Sequence, residues 1–298
     1  MIQNLLQQQF DFVGVIDVKR YVDYTQTKVD LSQYKSMFVV GLAYGKEVLP
    51  HTKKALTASL YTYGLDYHVV FNNIFKNMNL EDNYLGLVDN HDLDERTALE
   101  LTGLAYRGKN NLMIHKELGS YFFIGLVLSK IHYDEVIIEN HDSCGDCVKC
   151  IKACPVVALS RGYQVDKCIS AYNQTKKVLN QDEVKHNYLL LGCDICQRVC
   201  PKNKGIKVLN HEAFKIYQHA YVEINDLFNL SNKAFKDKYG NASYLWRGKT
   251  LLMRNALTVL LKQDNKDYNE LIRQSLKSTI YPKWYKETAQ YVLEKLEG

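Results

Sequence analysis

The chain has 298 residues, longer than a single hydrophobic core usually fills, and this length predicts two or three packed units. Hydrophobic residues make up 46% and charged residues 24%, a balance typical of an ordinary globular protein. The net charge of +5 permits a nucleic-acid partner without requiring one, and a solvated surface with a small lysine surplus is the simpler explanation.

The sequence excludes a membrane-spanning protein. The segment most like a membrane span, Tyr121–Leu128, is far too short to cross a bilayer. The first ten residues have neither the basic start nor the long apolar run of a secretory signal. We therefore expect a cytoplasmic protein without a membrane partner.

The first part of the chain predicts strands that alternate with helices, which indicates an α/β domain over about residues 1–137. Ser36–Tyr44 is β-branched and apolar and precedes Gly45, which is typical of a buried strand. The other predicted segments are a weaker strand at Phe12–Val18, helices within residues 51–80 and 94–104, and apolar strand-like or buried-helix segments at Leu112–Ile114 and Tyr121–Leu128.

All eight cysteines lie between Cys144 and Cys200. Disulfides are rare in a reducing compartment, so clustered thiols there favour metal binding. The run Cys144-x2-Cys147-x2-Cys150-x3-Cys154, with proline next, has the spacing of bacterial ferredoxins. In that pattern the first three thiolates ligate one 4Fe–4S cluster and the fourth ligates another.

The remaining cysteines complete two four-ligand clusters. Cys193-x2-Cys196-x3-Cys200 forms a second arm, and Cys168 is the one thiol left. We assign Cys144, Cys147, Cys150 and Cys200 to one cluster, and Cys154, Cys168, Cys193 and Cys196 to the other. A pair of zinc knuckles is the alternative, but zinc sites favour two CxxC pairs separated by a longer gap.

The last part of the chain predicts helices that resemble the paired helices of a solenoid. The predicted helices are Leu227–Tyr239, Thr250–Lys262, Tyr268–Leu276 and Lys283–Leu296, the last with Pro282 at its start. No nucleotide-binding motif is complete, because Gly248-Lys249-Thr250 lacks the first glycine of a phosphate loop and no G-x-G-x-x-G follows a strand. Asp89-Asn90-His91 starts like a histidine-on cobalamin motif, but Asp94 stands where that motif has glycine.

Several stretches together resemble the epoxyqueuosine reductases, which are cobalamin- and iron–sulfur-dependent tRNA-modifying enzymes. They are TYGLDYHVV (62–70), LVDNHDLDERTAL (87–99), GKNNLMI (108–114), GSYFFIG (119–125), the cysteine run with CISAYNQTKK (168–177), GCDICQRVCPKNKG (192–205) and LWRGKTLLMRNAL (245–257). The position of Cys168 and the uneven second arm are shared with this family and its relatives and would not occur in a plain ferredoxin.

The resemblance implies an α+β protein in three parts. Residues 1–137 would form an α/β cobalamin-binding domain, residues 138–210 a ferredoxin-like double 4Fe–4S domain, and residues 211–298 a helical HEAT-like region that would contact tRNA. It also implies reduction of epoxyqueuosine to queuosine at the wobble position of tRNA. Two 4Fe–4S clusters and cobalamin would carry the electrons from an unidentified donor, and the chain would act as a monomer.

The resemblance places the proton donor at Asp89, which would also contact cobalamin. A donor buried beside the corrin should have a raised pKa. Without the family, residues 89–96 look like a solvated loop and helix start, and Asp92 and Asp94 are better explained as charges at a helix N-terminus.

Further positions follow from the family by alignment of the quoted stretches. Those that would contact cobalamin are Met113, Ile124, Ser170, Lys177, Cys196 and Gln197. Thr175 matches a tRNA-contacting position of the family, and the basic run that contains Arg247, Lys249 and Arg254 would face tRNA phosphates. Taken alone, the first group reads as core or surface residues, and the basic residues read equally well as a solvated helix face.

Two other functions fit parts of the sequence. One is a cobalamin-dependent reductase of another substrate, similar to reductive dehalogenases, against which the basic C-terminal helices argue mildly. The other is a two-cluster electron carrier of the ferredoxin type, which would not need the matched N-terminal stretches.

Overall fold

A computed structural model describes residues 2–80, 82–139 and 142–298. The chain is a mixed α+β protein whose internal contacts divide it into two compact units, each built from three segments. Unit 1 comprises Met1–Lys46, Asp66–Cys150 and Gln197–Lys215, and unit 2 comprises Glu47–Leu65, Ile151–Cys196 and Ile216–Gly298. In the described part of the chain, no helix is long and apolar enough to cross a membrane. The three-part division expected from the sequence stays a prediction.

The regular elements are short in the first two thirds of the chain and longer towards its end. The strands are β1 Phe12–Asp17, β2 Ser36–Ala43, β3 Ala55–Leu56, β4 Tyr84–Leu87, β5 Ala105–Arg107, β6 Met113–His115, β7 Phe122–Ser129 and β8 Val222–Glu223. The helices are α1 Ile2–Gln9, α2 Val18–Thr25, α3 Tyr67–Asn77, α4 Glu95–Thr102, α5 Lys149–Ala153, α6 Ile169–Tyr172, α7 Gln181–His186, α8 Ile195–Arg198, α9 Ile224–Asn229, α10 Asn232–Tyr239, α11 Lys249–Lys262, α12 Asn269–Lys277 and α13 Lys283–Glu297.

Unit 1 is organised around a four-stranded sheet with the order β1-β2-β7-β4. The predicted strand at Ser36–Tyr44 is confirmed as the central strand β2, and every residue of β2 is buried. The segment Tyr121–Leu128, left open between a strand and a buried helix, is the other central strand, β7. All of the strand pairs in this sheet are antiparallel, a direction that the α/β domain predicted over residues 1–137 left open. Periodicity reports which face of a strand is buried, and it carries no information on the direction of its neighbours.

Helices cover both faces of this sheet. Leu126 of β7 packs in one core with Ala98 and Leu99 of α4. Its neighbour Gly125 faces the other way, because successive residues of a strand point to opposite faces. A Cβ atom on Gly125 would lie 2.7 Å from the Phe71 ring, so glycine is needed for α3 to approach the sheet this closely. The N-terminus of α3 is thereby fixed beside the sheet.

Unit 2 is mainly helical and has its own hydrophobic core around α11. Its strands β3 and β8 form a two-stranded antiparallel sheet. The segment after β3 is extended, with Ser59 N donating to Leu191 O and Leu190 N donating to Thr57 O. The helical periodicity predicted over residues 51–80 is therefore correct only for α3 and one turn at Leu60–Thr62.

The C-terminal helices are largely where the sequence predicts them. The helices predicted from Thr250, Tyr268 and Lys283 are confirmed as α11, α12 and α13 within two residues at each end. The helix predicted at Leu227–Tyr239 is instead two helices, α9 and α10, because Ser231 interrupts it. The Ser231 side chain accepts a hydrogen bond from Ala234 N and so starts a new helix.

The Arg254 side chain is completely buried in unit 2, which corrects its prediction as a tRNA contact. Its five N–H groups are all used inside the protein. Nη1 donates to the carbonyl oxygens of Thr175 (2.6 Å) and Lys177 (2.8 Å), and Nη2 donates to that of Asn173 (2.9 Å). Nε and Nη2 also donate to the side-chain oxygen of Asn255. A guanidinium in this position stabilises a loop and cannot reach a phosphate.

We expect Arg254→Met to lower the free energy of unfolding by about 3 kcal/mol or more, since several buried carbonyl groups lose their donors. Urea denaturation under anaerobic conditions measures the change. Arg247→Met is the control, because Arg247 stacks on Trp246 at the surface and its loss should cost no more than about 1 kcal/mol. Equal destabilisation by both variants would contradict the structural role of Arg254.

Candidate active site and metal centres

Asp89 lies in unit 1, in the loop between β4 and α4. Its backbone has φ of 52°, a left-handed conformation that Asp adopts more easily than most residues. The carboxylate of Glu95 holds the loop from one side, accepting from Asp89 N at 2.9 Å and contacting His91 Nε2 at 3.1 Å. The Asp89 side chain is 58% exposed, so its carboxylate is available to a bound molecule.

Two side chains from the start of α3 converge on one oxygen of Asp89. The Tyr67 hydroxyl donates to Asp89 Oδ2 at 2.9 Å, and His68 Nε2 lies 3.2 Å from the same atom. The other ring nitrogen of His68 lies 2.7 Å from Asp66 Oδ1. Asp66 also caps α3 by accepting from His68 N at 3.0 Å. The imidazole is therefore held between two carboxylates.

These contacts set the protonation of the site. Hydrogen bonds first to Asp66 and then to Asp89 raise the pKa of His68 to about 9, so the imidazole is protonated at neutral pH. The hydrogen bond from His68 lowers the pKa of Asp89, with a further contribution from Tyr67, although burial acts in the opposite direction. The charged partner outweighs burial here, and the raised pKa expected for Asp89 beside a bound corrin stays a prediction.

Aromatic rings form one wall beside Asp89. The Tyr67 ring is stacked on Phe123 with a centroid distance of 4.4 Å and an interplanar angle of 7°. Phe123 also contacts Tyr44 at 4.8 Å and Phe214 at 5.0 Å. The wall places a flat apolar surface next to a carboxylate and an imidazolium.

Tyr67, His68 and Asp66 were not singled out from the sequence, although they lie in the family-like stretch at residues 62–70. The signal that could have found them is an Asp-x-His pair at a helix start, where the aspartate both caps the helix and binds the ring. Asp94 is the N-cap of α4, accepting from Arg96 N and Thr97 N, which confirms its explanation as a helix-terminal charge.

The eight cysteines are all free thiols, and they divide four and four between the two units. Unit 1 contains Cys144, Cys147, Cys150 and Cys200, and unit 2 contains Cys154, Cys168, Cys193 and Cys196. Among the described residues, no group of three or more His, Cys, Asp or Glu is arranged to hold a single metal ion. A 4Fe–4S cluster makes a different demand, because each thiolate ligates its own iron.

In unit 1, Lys109 fixes the loop that carries the first two cysteines. Lys109 N donates to Cys144 Sγ at 3.4 Å, and its ammonium group donates to the carbonyl oxygens of Gly145 at 2.6 Å and Cys147 at 3.2 Å. Burial raises the pKa of the Cys200 thiol, and the thiols of Cys144 and Cys147 raise it further. Cys200 therefore lies near both of them despite the long separation in sequence.

Buried amides hold the Cys200 turn against the start of β7. Gln197 Nε2 donates to Ser120 O at 2.8 Å and to the Tyr44 hydroxyl at 3.0 Å. Asn203 Nδ2 donates to Gln197 O at 2.7 Å, and Asn203 Oδ1 accepts from Ser120 N at 2.8 Å. Because the Gln197 side chain is buried and used in this way, its predicted contact with cobalamin stays a prediction.

In unit 2, the segment before Cys193 is closely packed. Gly192 has φ of 81°, and a Cβ atom there would lie 2.5 Å from Ser59 Cβ, so only glycine fits. The Asp194 carboxylate accepts from the Ser59 hydroxyl and from Leu60 N at 3.1 Å. Burial raises the pKa of the Cys193 thiol to about 12. A cluster bound here would be surrounded by a rigid shell.

The other predicted cofactor contacts are distributed over both units. Met113 is buried in the core of unit 1, and Ile124 is a half-buried residue of β7. In unit 2, Ser170 is half-buried on α6, and Lys177 forms an ion pair with Glu183. Their roles as cofactor contacts stay predictions.

The predicted tRNA contacts differ in exposure. Thr175 is exposed, and Arg247 is half-buried with its guanidinium stacked 3.5 Å from the centroid of the exposed Trp246 ring. Lys249 is only 8% exposed, and its ammonium group donates to Leu230 O. Its prediction as a tRNA contact is therefore corrected along with that of Arg254, since both charges are used inside the fold.

Residues 143–203 match the family described as "4Fe-4S double cluster binding domain". The chain is 34% identical over 280 residues to the epoxyqueuosine reductase of Bacillus anthracis, a match that covers 87% of this chain and 72% of the relative. The chain belongs to the epoxyqueuosine reductase family. It is thus related to oxidoreductases, and the expectation of an enzyme of this class is confirmed.

Solved epoxyqueuosine reductases have the same fold. One, bound to an epoxyqueuosine-modified tRNA-Tyr stem loop, aligns with a TM-score of 0.86 and 26% identity over 100% of this chain and 89% of its own. Another, from Bacillus subtilis, aligns with a TM-score of 0.83 and 25% identity over 99% of this chain and 89% of its own. Its catalytic aspartate loop is described as swung out of the active site.

We expect the His68 imidazole to titrate near pH 9 in the native protein, as measured by nuclear magnetic resonance of the ring nitrogens. Asp66→Asn should lower this pKa more than Asp89→Asn, because the bond to Asp66 makes the larger contribution. A His68 pKa that stays near its ordinary value in the native protein would contradict the geometry described above.

Proposed function

We propose that this protein reduces epoxyqueuosine to queuosine at the wobble position of tRNA. The observation that carries the proposal is the His68–Asp89 pair, in which a protonated imidazole adjoins an exposed carboxylate. Removing an epoxide oxygen as water consumes two electrons and two protons. The pair can supply protons, and two sets of four free cysteines can hold the groups that deliver electrons.

The donor chemistry fits two 4Fe–4S clusters. Cys144, Cys147, Cys150 and Cys200 would hold one cluster in unit 1, and Cys154, Cys168, Cys193 and Cys196 would hold the other in unit 2. Each unit provides the four thiolates that one cluster requires. Backbone N–H groups directed at Cys144 Sγ and Cys154 Sγ would stabilise thiolate charge in both sets.

The residues at Asp89 also fit a corrinoid. The ring of Tyr67, stacked on Phe123, offers a flat apolar surface, and Asp89 offers a carboxylate at its edge. When bound, cobalamin would supply the strong reductant that opens the epoxide. Met113, Ile124 and Gln197 of unit 1, and Ser170, Lys177 and Cys196 of unit 2, are proposed as further contacts on family resemblance.

The side chains of the site would control the proton. His68 holds a proton at Nε2 against Asp89 Oδ2, so the two groups titrate as a pair rather than as independent acids. As negative charge develops on the departing epoxide oxygen, Asp89 would relay to it the proton that His68 holds, because the lowered pKa of Asp89 leaves its own carboxylate ionised at rest. Tyr67 donates to the same carboxylate oxygen and keeps its orientation, while Asp66 stabilises the imidazolium.

The proposed partner is tRNA with epoxyqueuosine in its anticodon, as in the solved relative that holds such a stem loop. In unit 2, Trp246 is 63% exposed and carries the Arg247 guanidinium against its ring. An exposed ring of this kind can stack on an unpaired base, and the cation can meet a phosphate. Thr175 is proposed as a further contact. We propose that the protein acts in the cytoplasm as a monomer that receives electrons from a separate donor.

We expect about eight irons per chain after anaerobic reconstitution of the native protein, and about four after Cys147→Ala or Cys193→Ala, because each change removes a ligand of one cluster only. Iron and sulfide analysis with electron paramagnetic resonance measures this. A double variant within one set, Cys144→Ala with Cys147→Ala, is the control and should also retain about four. A loss of all iron from any single variant would contradict the separation of the two sets.

We expect Asp89→Asn to slow conversion of an epoxyqueuosine stem loop by about 10²- to 10⁴-fold, the usual contribution of general acid–base catalysis. Single-turnover assays with the reduced, cobalamin-loaded protein measure the rate. Asp92→Asn, which changes an exposed neighbour, is the matched control and should keep the native rate.

The pH dependence tests the role of His68 in the same assay. Because the folded pKa of His68 is raised to about 9, the native rate should hold at lower pH and fall as pH rises through 9. In His68→Gln the decline should begin at a lower pH, since Asp89 must then carry the proton alone. Bound cobalamin without stem-loop conversion would indicate a reductase of another substrate, and iron without bound cobalamin would indicate an electron carrier.

A further inference from the structure

One hydrogen bond to a cysteine sulfur in unit 2 comes from a side chain. The Tyr188 hydroxyl lies 3.6 Å from Cys193 Sγ and is its donor. A phenol has an ordinary pKa near 10, so it carries its proton at neutral pH. Tyr188 is not a residue to which the proposed reaction or the family resemblance gave any role.

The direction of this hydrogen bond follows from the other contacts of the hydroxyl group. Its oxygen accepts from Asp194 N at 2.9 Å, which leaves the hydroxyl hydrogen for another acceptor. The nearby carboxylate of Asp194 accepts hydrogen bonds from the Ser59 hydroxyl and from Leu60 N. The hydrogen is therefore directed at the sulfur of Cys193.

Hydrogen bonds fix the backbone at Tyr188 and at the residue before it. His51 Nδ1 accepts from Thr57 N at 3.0 Å, so the ring proton is on Nε2, which donates to Tyr188 O at 2.7 Å. The preceding residue, Asn187, is buried, and its side chain donates to Thr258 Oγ1 at 2.8 Å. The hydroxyl thus stays at Cys193 without help from a ligand.

We propose that Tyr188 raises the reduction potential of the cluster held by Cys154, Cys168, Cys193 and Cys196. The proposal rests on the cluster assignment made above. One-electron reduction adds one negative charge to the cluster and its thiolates, and no bond to the cluster is formed or broken. A donor directed at a ligand sulfur stabilises the reduced form more than the oxidised form. Tyr188 acts through Cys193, so it is a positioning residue and not a catalytic one.

The two clusters would then differ in how their potentials are set. In the unit 1 set, the hydrogen bond to Cys144 Sγ comes from the backbone N–H of Lys109 and does not depend on the lysine side chain. In the unit 2 set, the hydroxyl of a single tyrosine adds to the backbone donor at Cys154. A substitution at residue 188 should therefore change one potential and leave the other unchanged.

The test is a potentiometric titration with dithionite, followed by electron paramagnetic resonance, of reconstituted native protein and Tyr188→Phe. We expect one of the two midpoint potentials to become more negative in Tyr188→Phe, and the shifted signal to be the one that persists in Cys147→Ala. Tyr172→Phe is the matched control. Tyr172 lies four residues after Cys168, but its hydroxyl donates to Glu183 O and not to sulfur, so neither potential should shift.

Unchanged potentials in Tyr188→Phe, or an equal shift in Tyr172→Phe, would overturn the proposal. A native protein that binds no cluster at the four cysteines of unit 2 would also overturn it. If Tyr188→Phe fails to assemble, 3-fluorotyrosine at position 188 keeps the fold and is a stronger donor, so the same potential should become more positive. An unchanged potential in the 3-fluorotyrosine protein would also overturn the proposal. The titration uses no tRNA, so it tests the role of Tyr188 separately from the proposed function. A protein that failed to convert the stem loop should still show the expected potentials.

Discussion

Each proposed cluster needs four thiolates, and the order of the cysteines in the chain does not allow neighbours to supply them all. Cys200 has to return to the loop that carries Cys144 and Cys147, while the four cysteines between Cys150 and Cys200 belong to the other set. This requirement fits the place of Ile151–Cys196, a segment of unit 2 that lies in the sequence between the two segments of unit 1 that carry the other four cysteines. A chain that completed one unit before it began the next could not distribute the ligands in this way.

Buried amide side chains hold the segments around Cys200 and Cys193 in place. In unit 1, Gln197 and Asn203 bind the start of β7 through Ser120. In unit 2, Asn173 accepts from Gly192 N at 3.1 Å and donates to Gly192 O at 2.8 Å, immediately before Cys193. Amide side chains suit this task because they donate and accept at once, and a fully satisfied buried network fixes one geometry.

The sequence was sufficient for features that depend on local pattern, namely the buried strand β2, the helices α11 to α13 and the spacing of the cysteines. It was not sufficient for features that depend on long-range contacts. The antiparallel sheet, the extended segment after β3 and the burial of Arg254 all depend on partners far away in the chain. His68 was missed for the same reason, since its importance appears only when Asp89 is placed beside it.

The positive charges of the C-terminal region show how such contacts change a functional interpretation. Arg254 and Lys249 lie in one basic run of the sequence, yet both are buried and bonded to carbonyl groups, so they contribute to folding. Within this run only Arg247 remains near the surface, and it lies against Trp246. The charge that this run can offer to phosphates is therefore that of Arg247. At this run, a proposed tRNA contact would gain more of its affinity from stacking of Trp246 on unpaired bases, which an anticodon loop offers and a duplex does not.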